Sequence, residues 1–179
     1  PPHADRARAD GNHVMRPVLL AASLLASSAA AQEVRFSPAA TDACVAQAVT
    51  PEGKRGCLGV SAQQCMGAGS GGSTTVGMMD CLDQEREYWD ARLNAAYKAV
   101  RAKARASDAE LDNWGSSAPR TAPALKQMQR AWITYRDTTC EFERAQWGGG
   151  SGGGPAVLSC LMRLTGEQAL YLEDAWFGE

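Results

Sequence analysis

Histidine is nearly absent from this sequence, with only His3 and His13 among 179 residues. Both lie ahead of Met15, in residues 1–14, which have no apolar periodicity and which we interpret as a non-native upstream extension. The rest of the chain therefore has no histidine. This excludes Ser–His and Cys–His nucleophile pairs there, and it removes the commonest zinc ligand and neutral-pH proton shuttle.

Long apolar runs are also missing. The best one, Val18 to Ala26, is much shorter than the roughly 20 residues that a membrane-spanning helix needs. It follows Met15 and Arg16 and precedes the small residues 29–31, which together are typical of a signal peptide over residues 15–31. We therefore expect a mature chain that begins at Gln32, is periplasmic or secreted, and has no lipid anchor and no stable membrane insertion.

The chain has no large excess of charge of either sign. Cleavage after residue 31 would leave 15 basic and 18 acidic residues, a net charge of −3, because the lost segment carries Arg6, Arg8, Arg16, Asp5 and Asp10. A nucleic-acid-binding protein needs a concentrated basic face to neutralise phosphates, so this class of partner is not expected. A weakly cationic protein partner is mildly favoured.

Groups that could replace histidine in catalysis are scarce. The four lysines, Lys54, Lys98, Lys103 and Lys126, lie in a turn or on charged helical stretches, where nothing would lower their pKa. The acidic residues share helix faces with Lys, Arg and Gln, which is typical of solvated surfaces and not of an acid–base carboxyl pair. The glycine-rich run at 147–155 has no Gly-Lys-Ser/Thr after it and is interpreted as a connector, not a phosphate loop. We expect no enzyme activity, cofactor or metal.

Six cysteines all lie beyond the expected cleavage site, and an even number in an exported chain indicates up to three disulfides. Paired C-x-x-C spacings, which a metal site would favour, do not occur. We expect Cys140 to bond Cys160 across the glycine-rich run. The other four cysteines allow three pairings, of which we expect Cys44–Cys57 with Cys65–Cys81.

Thr41 has the position of an N-cap for a short helix near the start of the expected mature chain. Apolar residues recur at helical spacing in three long segments, and none shows the alternation of a strand. The pattern assigns Tyr135 and Phe142 in the second segment and Tyr171 in the third to buried faces. One segment begins after a possible N-cap at Thr75, a second runs from about Pro123 to Gln146, and a third from Pro155 to about Trp176. Ser107 and Glu110 have the spacing of a capping box, which predicts a separate short helix or turn. The predicted fold class is all-α: three main helices in an antiparallel, bundle-like array, with a disulfide-stapled N-terminal cap of short helices in residues 32–74.

Two strings are distinctive: WDARLNAAYKAV at 89–100 and QRAWITYRDTTCEFERAQ at 129–146. We interpret their aromatic residues as core and their polar residues as devices that fix helix register. Arg136 is expected to pair across the bundle with Asp90 or Glu87. The residues of this structural polar and core motif are Trp89, Asn94, Tyr97, Trp132, Tyr135 and Arg136.

These strings, flanked by Cys81 and by the glycine-rich break with Cys160, resemble the LprI-type lysozyme inhibitor domain. The resemblance covers about Thr75 to Glu173 and assigns residues 75–179 to one such helical domain. It implies a binding module, possible inhibition of a c-type lysozyme, and no catalytic residue to transfer. The chain departs from the founding type, a lipoprotein, in having no lipid-attachment cysteine. The segment with Cys57 and Cys65 belongs to only some relatives.

Two functions therefore stay open. One is inhibition of a lysozyme, with contacts made by loops and by acidic residues such as Glu141 and Glu143. The other is a structural or quality-control role in the cell envelope, with an unknown protein partner.

Overall fold

The structure is a computed structural model that describes residues 36–175, and within that range it contains six α-helices and no strand. The all-α prediction is confirmed. The helices are α1 Ala39–Gln47, α2 Pro51–Arg55, α3 Val60–Gly67, α4 Thr75–Asn113, α5 Thr121–Ala145 and α6 Gly153–Glu173. None of these helices is long and apolar enough to cross a membrane. The expected extension, signal peptide and cleavage site lie outside the described residues.

Helix α4 is the longest element, with 39 residues. Its N-cap is Thr74, one residue before the expected Thr75, and the Thr74 side chain accepts a hydrogen bond of 3.0 Å from the backbone N–H of Gly77. That bond satisfies one of the donors left free at a helix start. The apolar stripe read from the sequence is the buried face of α4, and its buried members are Leu82, Trp89, Leu93, Ala96 and Val100.

The sequence predicted a separate short helix or turn at Ser107. This prediction is wrong, because α4 continues without a break to Asn113. Asp108, inside the apparent capping box, instead caps the next helix. Its buried carboxylate accepts hydrogen bonds from the backbone N–H groups of Thr121 (2.7 Å) and Ala122 (2.9 Å). The first turn of α5 has no side-chain cap of its own, so Asp108 supplies both an acceptor and a favourable negative charge there.

The most extensive helix–helix interface joins α4 to α6, and the two helices run in the same direction. Gly154 faces Met79 near the start of both helices, Gly166 faces Trp89 further on, and Glu173 pairs with Arg92. A Cβ added at Gly166 would lie only 2.4 Å from Leu58 and 3.1 Å from the Trp89 ring. Glycine at this position therefore lets the largest buried side chain pack against α6.

Helix α5 runs antiparallel to α6 and packs mainly on it. Contacts along the pair join Glu143 to Arg163 (3.0 Å), Cys140 to Cys160, and Gln129 to Gln168 (3.0 Å). Contact between α5 and α4 is less extensive and includes the Asp108 cap at the α4–α5 connection. A regular antiparallel three-helix bundle is therefore not confirmed.

This arrangement corrects three residues that the sequence pattern assigned to buried faces. Tyr135 and Phe142 on α5 are 57% and 66% exposed, and Tyr171 on α6 is 63% exposed. On α5, helix α6 covers the face that carries Cys140 and Glu143, and α4 does not close over the adjacent face. The periodicity gave the helices correctly but overestimated the width of the buried stripe.

Helices α1 to α3 form the N-terminal cap, which two disulfides hold in place. Cys44–Cys57 links α1 to the turn after α2, and Cys65–Cys81 links α3 to α4. With Cys140–Cys160, these are the three pairs expected from the sequence. Thr41, which the sequence suggested as the cap of α1, lies instead inside that helix and is fully buried.

Thr165 on α6 provides a test of core packing. Its buried hydroxyl is the one side-chain polar atom among the described residues that is fully buried without a hydrogen-bond partner. Replacement by the isosteric valine removes an unsatisfied group, so Thr165→Val should raise the free energy of unfolding by about 1 kcal/mol. Urea denaturation monitored by circular dichroism measures this change. A lower midpoint for Thr165→Val than for the parent protein would contradict it.

Candidate functional site

The motif residues separate into core and surface positions. Trp89 is fully buried, while Tyr97 and Trp132 are half-buried against the same core. Asn94 is exposed and donates a hydrogen bond of 2.8 Å to Asp90, one helical turn earlier.

The expected pairing of Arg136 with Asp90 or Glu87 is wrong. The Arg136 guanidinium lies 5.0 Å from the centre of the Trp132 ring and 2.8 Å from the Asp137 carboxylate. Because α5 packs mainly on α6, the partners of Arg136 come from its own helix and not from the first half of α4. Arg136 therefore stabilises Trp132 locally and does not fix the register of two helices.

A buried carboxylate that the sequence reading missed, Glu85, joins the N-terminal cap to α4. Its Oε1 accepts hydrogen bonds from Thr41 Oγ1 (2.8 Å), the Gly59 backbone N–H (2.9 Å) and Trp89 Nε1 (3.2 Å). Its Oε2 accepts one from the backbone N–H of Ala62 (2.6 Å). All four partners are donors, so the carboxylate acts only as an acceptor and satisfies groups from α1, α3 and α4 at once.

The sequence feature that indicates a buried role for Glu85 is its position on the helix, not its residue type. It lies between Leu82 and Trp89 on the same helical stripe, and it is the one acidic residue between them on the buried face. A carboxylate there has to be paired with donors. The sequence could indicate that need, but not that the donors come from a backbone 26 residues earlier.

A second polar network, centred on Arg92, lies near the end of α6. The Arg92 guanidinium binds Glu173 with two hydrogen bonds of 2.9 and 2.7 Å, and it donates a third of 2.7 Å to the Tyr88 hydroxyl. Tyr88 donates in turn to Asp42 on α1. The guanidinium also lies 4.7 Å from the centre of the Trp89 ring.

The pKa values in this network follow from its contacts. Burial lowers the pKa of Arg92, but the hydrogen bonds to Glu173 and Tyr88 outweigh burial and hold the pKa above its ordinary value. Burial, and then the hydrogen bond to Asp42, raise the pKa of the Tyr88 phenol, although Arg92 acts in the opposite direction. Neither group is shifted towards neutral pH, so the network links α1, α4 and α6 and does not supply a proton-transfer group there.

The connection between α5 and α6 is an exposed, glycine-rich turn. Gly148 and Gly149 have φ angles of 55° and 86°, which side chains other than glycine rarely adopt. The ring of Trp147 folds over Gly152, where an added Cβ would lie 2.1 Å from it, yet the residue remains 54% exposed. The Cys140–Cys160 disulfide closes the two helices just beneath. An exposed tryptophan is therefore held on an anchored turn.

The two acidic residues expected to contact a partner lie at this end of α5. Glu141 is exposed and pairs with Arg144 at 2.9 Å, whereas Glu143 is half-buried and pairs with Arg163 at 3.0 Å. The side chain of Glu141 is 59% exposed and that of Glu143 is 38% exposed. The contact role of both residues stays a prediction.

A groove of about 530 Å³ runs along α6 beside this turn, between α6, α3 and the first turns of α4. Trp147 lies at one end, and Arg55 and Glu167 lie towards the other. Its lining includes three thioether side chains, those of Met66, Met78 and Met162. Methionine is flexible and polarisable, so such a surface can adapt to apolar partners of different shape.

Metal ligands do not converge anywhere in residues 36–175, where no three His, Cys, Asp or Glu side chains are placed to hold an ion. The features that stand out on this part of the chain are contact surfaces: an exposed turn and a groove on a disulfide-linked helical scaffold. This part of the chain is therefore an all-helical, disulfide-linked domain.

Comparison with known proteins assigns the family. The profile of the lysozyme inhibitor LprI family matches residues 65–172, which is more than half of the chain, and the chain belongs to this family. The resemblance read from the sequence is thereby confirmed. It is a family of inhibitors, not of enzymes. The match begins at Cys65, so α1, α2 and the first turn of α3 precede it, and the expected domain boundary at residue 75 stays a prediction.

Two relatives illustrate the range of similarity. An uncharacterized protein of Rhizobium meliloti (strain 1021) is 38% identical over 102 residues, which is 55% of this chain and 73% of the relative. An uncharacterized 17.7 kDa protein in the puhA 5′ region of Rhodobacter capsulatus is 29% identical over 164 residues, which is 91% of this chain and 96% of the relative. No solved structure matches the chain.

Proposed function

We propose that this protein is an exported inhibitor that binds a basic, c-type lysozyme and covers its substrate cleft with the α5–α6 turn. The observation that carries the proposal is membership of the lysozyme inhibitor family together with an exposed tryptophan on that turn. A short exposed turn that carries a tryptophan is suited to enter a concave cleft. Tryptophan is among the residues that contribute most to binding when buried at an interface.

Electrostatics supports a basic partner. The first half of α4 carries Asp80, Asp83, Glu87 and Asp90 at helical spacing, close to the end of the molecule where the α5–α6 turn lies. Arg86 neutralises part of this row, through Asp83 and Glu87. Attraction between these acidic residues and a basic partner speeds the encounter of the two proteins, and it weakens as the salt concentration rises. Direct contacts at the turn therefore have to supply most of the affinity.

The disulfides and the family indicate an extracytoplasmic protein. The finer proposal is that residues 15–31 direct export and that the mature protein begins at Gln32, in the periplasm or outside the cell. N-terminal sequencing of the protein from its native envelope tests this point.

The function is tested by lysis of cell-wall substrate by several basic lysozymes, with oxidised protein added at low salt. The parent protein should inhibit at least one of them. Trp147→Ser should weaken that inhibition about tenfold or more, because an interface tryptophan removed from a desolvated contact costs about 2 kcal/mol.

The matched control is Trp114→Ser. Trp114 is 85% exposed at the end of α4, in the connection at the opposite end of the long helices, so its loss should leave inhibition unchanged. Equal losses in both variants would contradict a contact at the α5–α6 turn. If stoichiometric parent protein leaves every basic lysozyme fully active, the inhibitor proposal itself fails.

The methionine-lined groove favours a second candidate, a quality-control role in which the protein binds apolar segments of unfolded envelope proteins. The protein would then suppress aggregation of a reduced, unfolded test protein in the absence of any lysozyme. Met78→Lys, which places a charge in the groove, should remove this activity and leave lysozyme inhibition intact.

A further inference from the structure

One face of α5 has no partner among the described residues, although it is long, uncharged and aromatic. Tyr135 and Phe142, seven residues apart and both largely exposed, lie on this face. The rest of this face consists of exposed, uncharged residues along the helix: Ala124, Gln127, Ala131, Thr134, Thr138 and Ala145. These positions recur at intervals of three, four and seven residues, which is the spacing of a face that packs against another helix.

Charged residues border this face on one side only, and their signs change along the helix. Lys126 and Arg130 lie in the first half of α5, and Asp137 and Glu141 lie in the second half. If two copies of α5 pack antiparallel about a centre between Ile133 and Thr134, Arg130 lies opposite Asp137 of the other copy. Lys126 then lies opposite Glu141. Symmetry repeats both pairs, which gives four attractive contacts and no repulsive one among these residues.

Lys126 and Arg130 are the members of this set that lack an ion pair to any other described side chain. Asp137 and Glu141 each have a second oxygen free to accept beyond their bonds to Arg136 and Arg144. Helix α5 has 25 residues and so extends about 37 Å, long enough for several turns of paired contact.

We propose that the protein forms a two-fold symmetric dimer through this face of α5, with Tyr135 and Phe142 buried between the two antiparallel helices. The α5–α6 turn of each copy then lies at an outer end of the interface and remains accessible. The dimer does not depend on the identity of the partner that the turn binds.

Sedimentation velocity of the oxidised mature protein, up to high micromolar concentration, should show a species of about twice the mass of the single chain. Arg130→Asp alone, or Asp137→Arg alone, creates two like-charge contacts by symmetry and should weaken dimerisation about tenfold. The double variant Arg130→Asp/Asp137→Arg should restore it, because the pairs are re-formed with reversed sign.

Tyr135→Ser/Phe142→Ser should remove the dimer without lowering the unfolding midpoint, because both side chains are already exposed in the single chain. Lys98→Glu, a charge reversal on an exposed position of α4, is the control and should have no effect on association. A parent protein that stays monomeric at every concentration overturns the proposal. A dimer that is insensitive to the single reversals, or one that the double variant does not restore, overturns it equally.

Lysozyme inhibition by the monomeric variants separates this inference from the proposed function. Inhibition per chain should persist in Tyr135→Ser/Phe142→Ser, since Trp147 is unchanged. If inhibition is lost together with the dimer, the dimer face stands, but lysozyme binding depends on α5 or on the dimer and the assignment of the contact to the turn alone fails.

Discussion

Glu85→Gln should lower the free energy of unfolding by about 3 kcal/mol, a large part of the stability of a domain of this size. Glutamine keeps one acceptor oxygen but replaces the other by an NH₂ group. Four donors converge on the Glu85 carboxylate, so at least one buried N–H or O–H must face another donor in the variant. Each buried group left unsatisfied costs about 1–3 kcal/mol, and a charge-assisted hydrogen bond is lost as well.

Urea denaturation monitored by far-ultraviolet circular dichroism measures this effect, with Glu87→Gln as the matched control. Glu87 lies two residues along the same helix, is exposed, and makes one long contact of 3.5 Å to Arg86, so its substitution should change stability by less than about 0.5 kcal/mol. A Glu85→Gln midpoint within error of the control would show that the cap does not depend on this carboxylate.

The Glu85 network illustrates why sequence reading reached the fold more easily than its central contact. The apolar stripe of α4 depends on the residues of one helix, and periodicity over a single segment predicts it. Three of the four donors to Glu85 come from Thr41, Gly59 and Ala62, whose positions depend on how the cap folds back on α4. Two of them are backbone N–H groups, which every residue except proline has, so residue type cannot identify them as donors.

Predictions made from residue type and spacing also failed where another partner competed for the same group. Ser107 and Glu110 match a capping box, yet the helix does not end there, because Asp108 between them caps α5. Arg136 was expected to bridge two helices, but the adjacent Asp137 and Trp132 occupy its guanidinium. In both cases the sequence identified residues that make polar contacts and assigned them the wrong partner.

The disulfide pairs were predictable because their geometry follows chain order. Each bond joins cysteines that are neighbours in sequence, with separations of 13, 16 and 20 residues, and short connections between helices bring such residues together. The binding surfaces were less predictable. Glu141 and Glu143 were chosen for their charge, and the structure shows that Arg163 already pairs with Glu143.

Cys140→Ser/Cys160→Ser should lower the free energy of unfolding by about 3 kcal/mol, the value for a loop of 20 residues in the chain-entropy account. It should also weaken lysozyme inhibition about tenfold under conditions where the variant remains folded. The disulfide fixes the ends of α5 and α6 beneath a turn whose residues 148–154 are almost all glycine. Without it, more conformational entropy is lost when Trp147 binds.

Cys44→Ser/Cys57→Ser separates these two effects. That pair closes a loop of 13 residues in the N-terminal cap, so its removal should cost a similar free energy of unfolding. It lies in α1 and the turn after α2, apart from the α5–α6 turn, so the folded variant should inhibit like the parent protein. Urea denaturation and the lysis assay, run on both variants below their unfolding transitions, distinguish loss of stability from loss of binding geometry. If both double variants inhibit equally, the Cys140–Cys160 bond contributes to stability alone, and the turn does not need to be held rigid in order to bind.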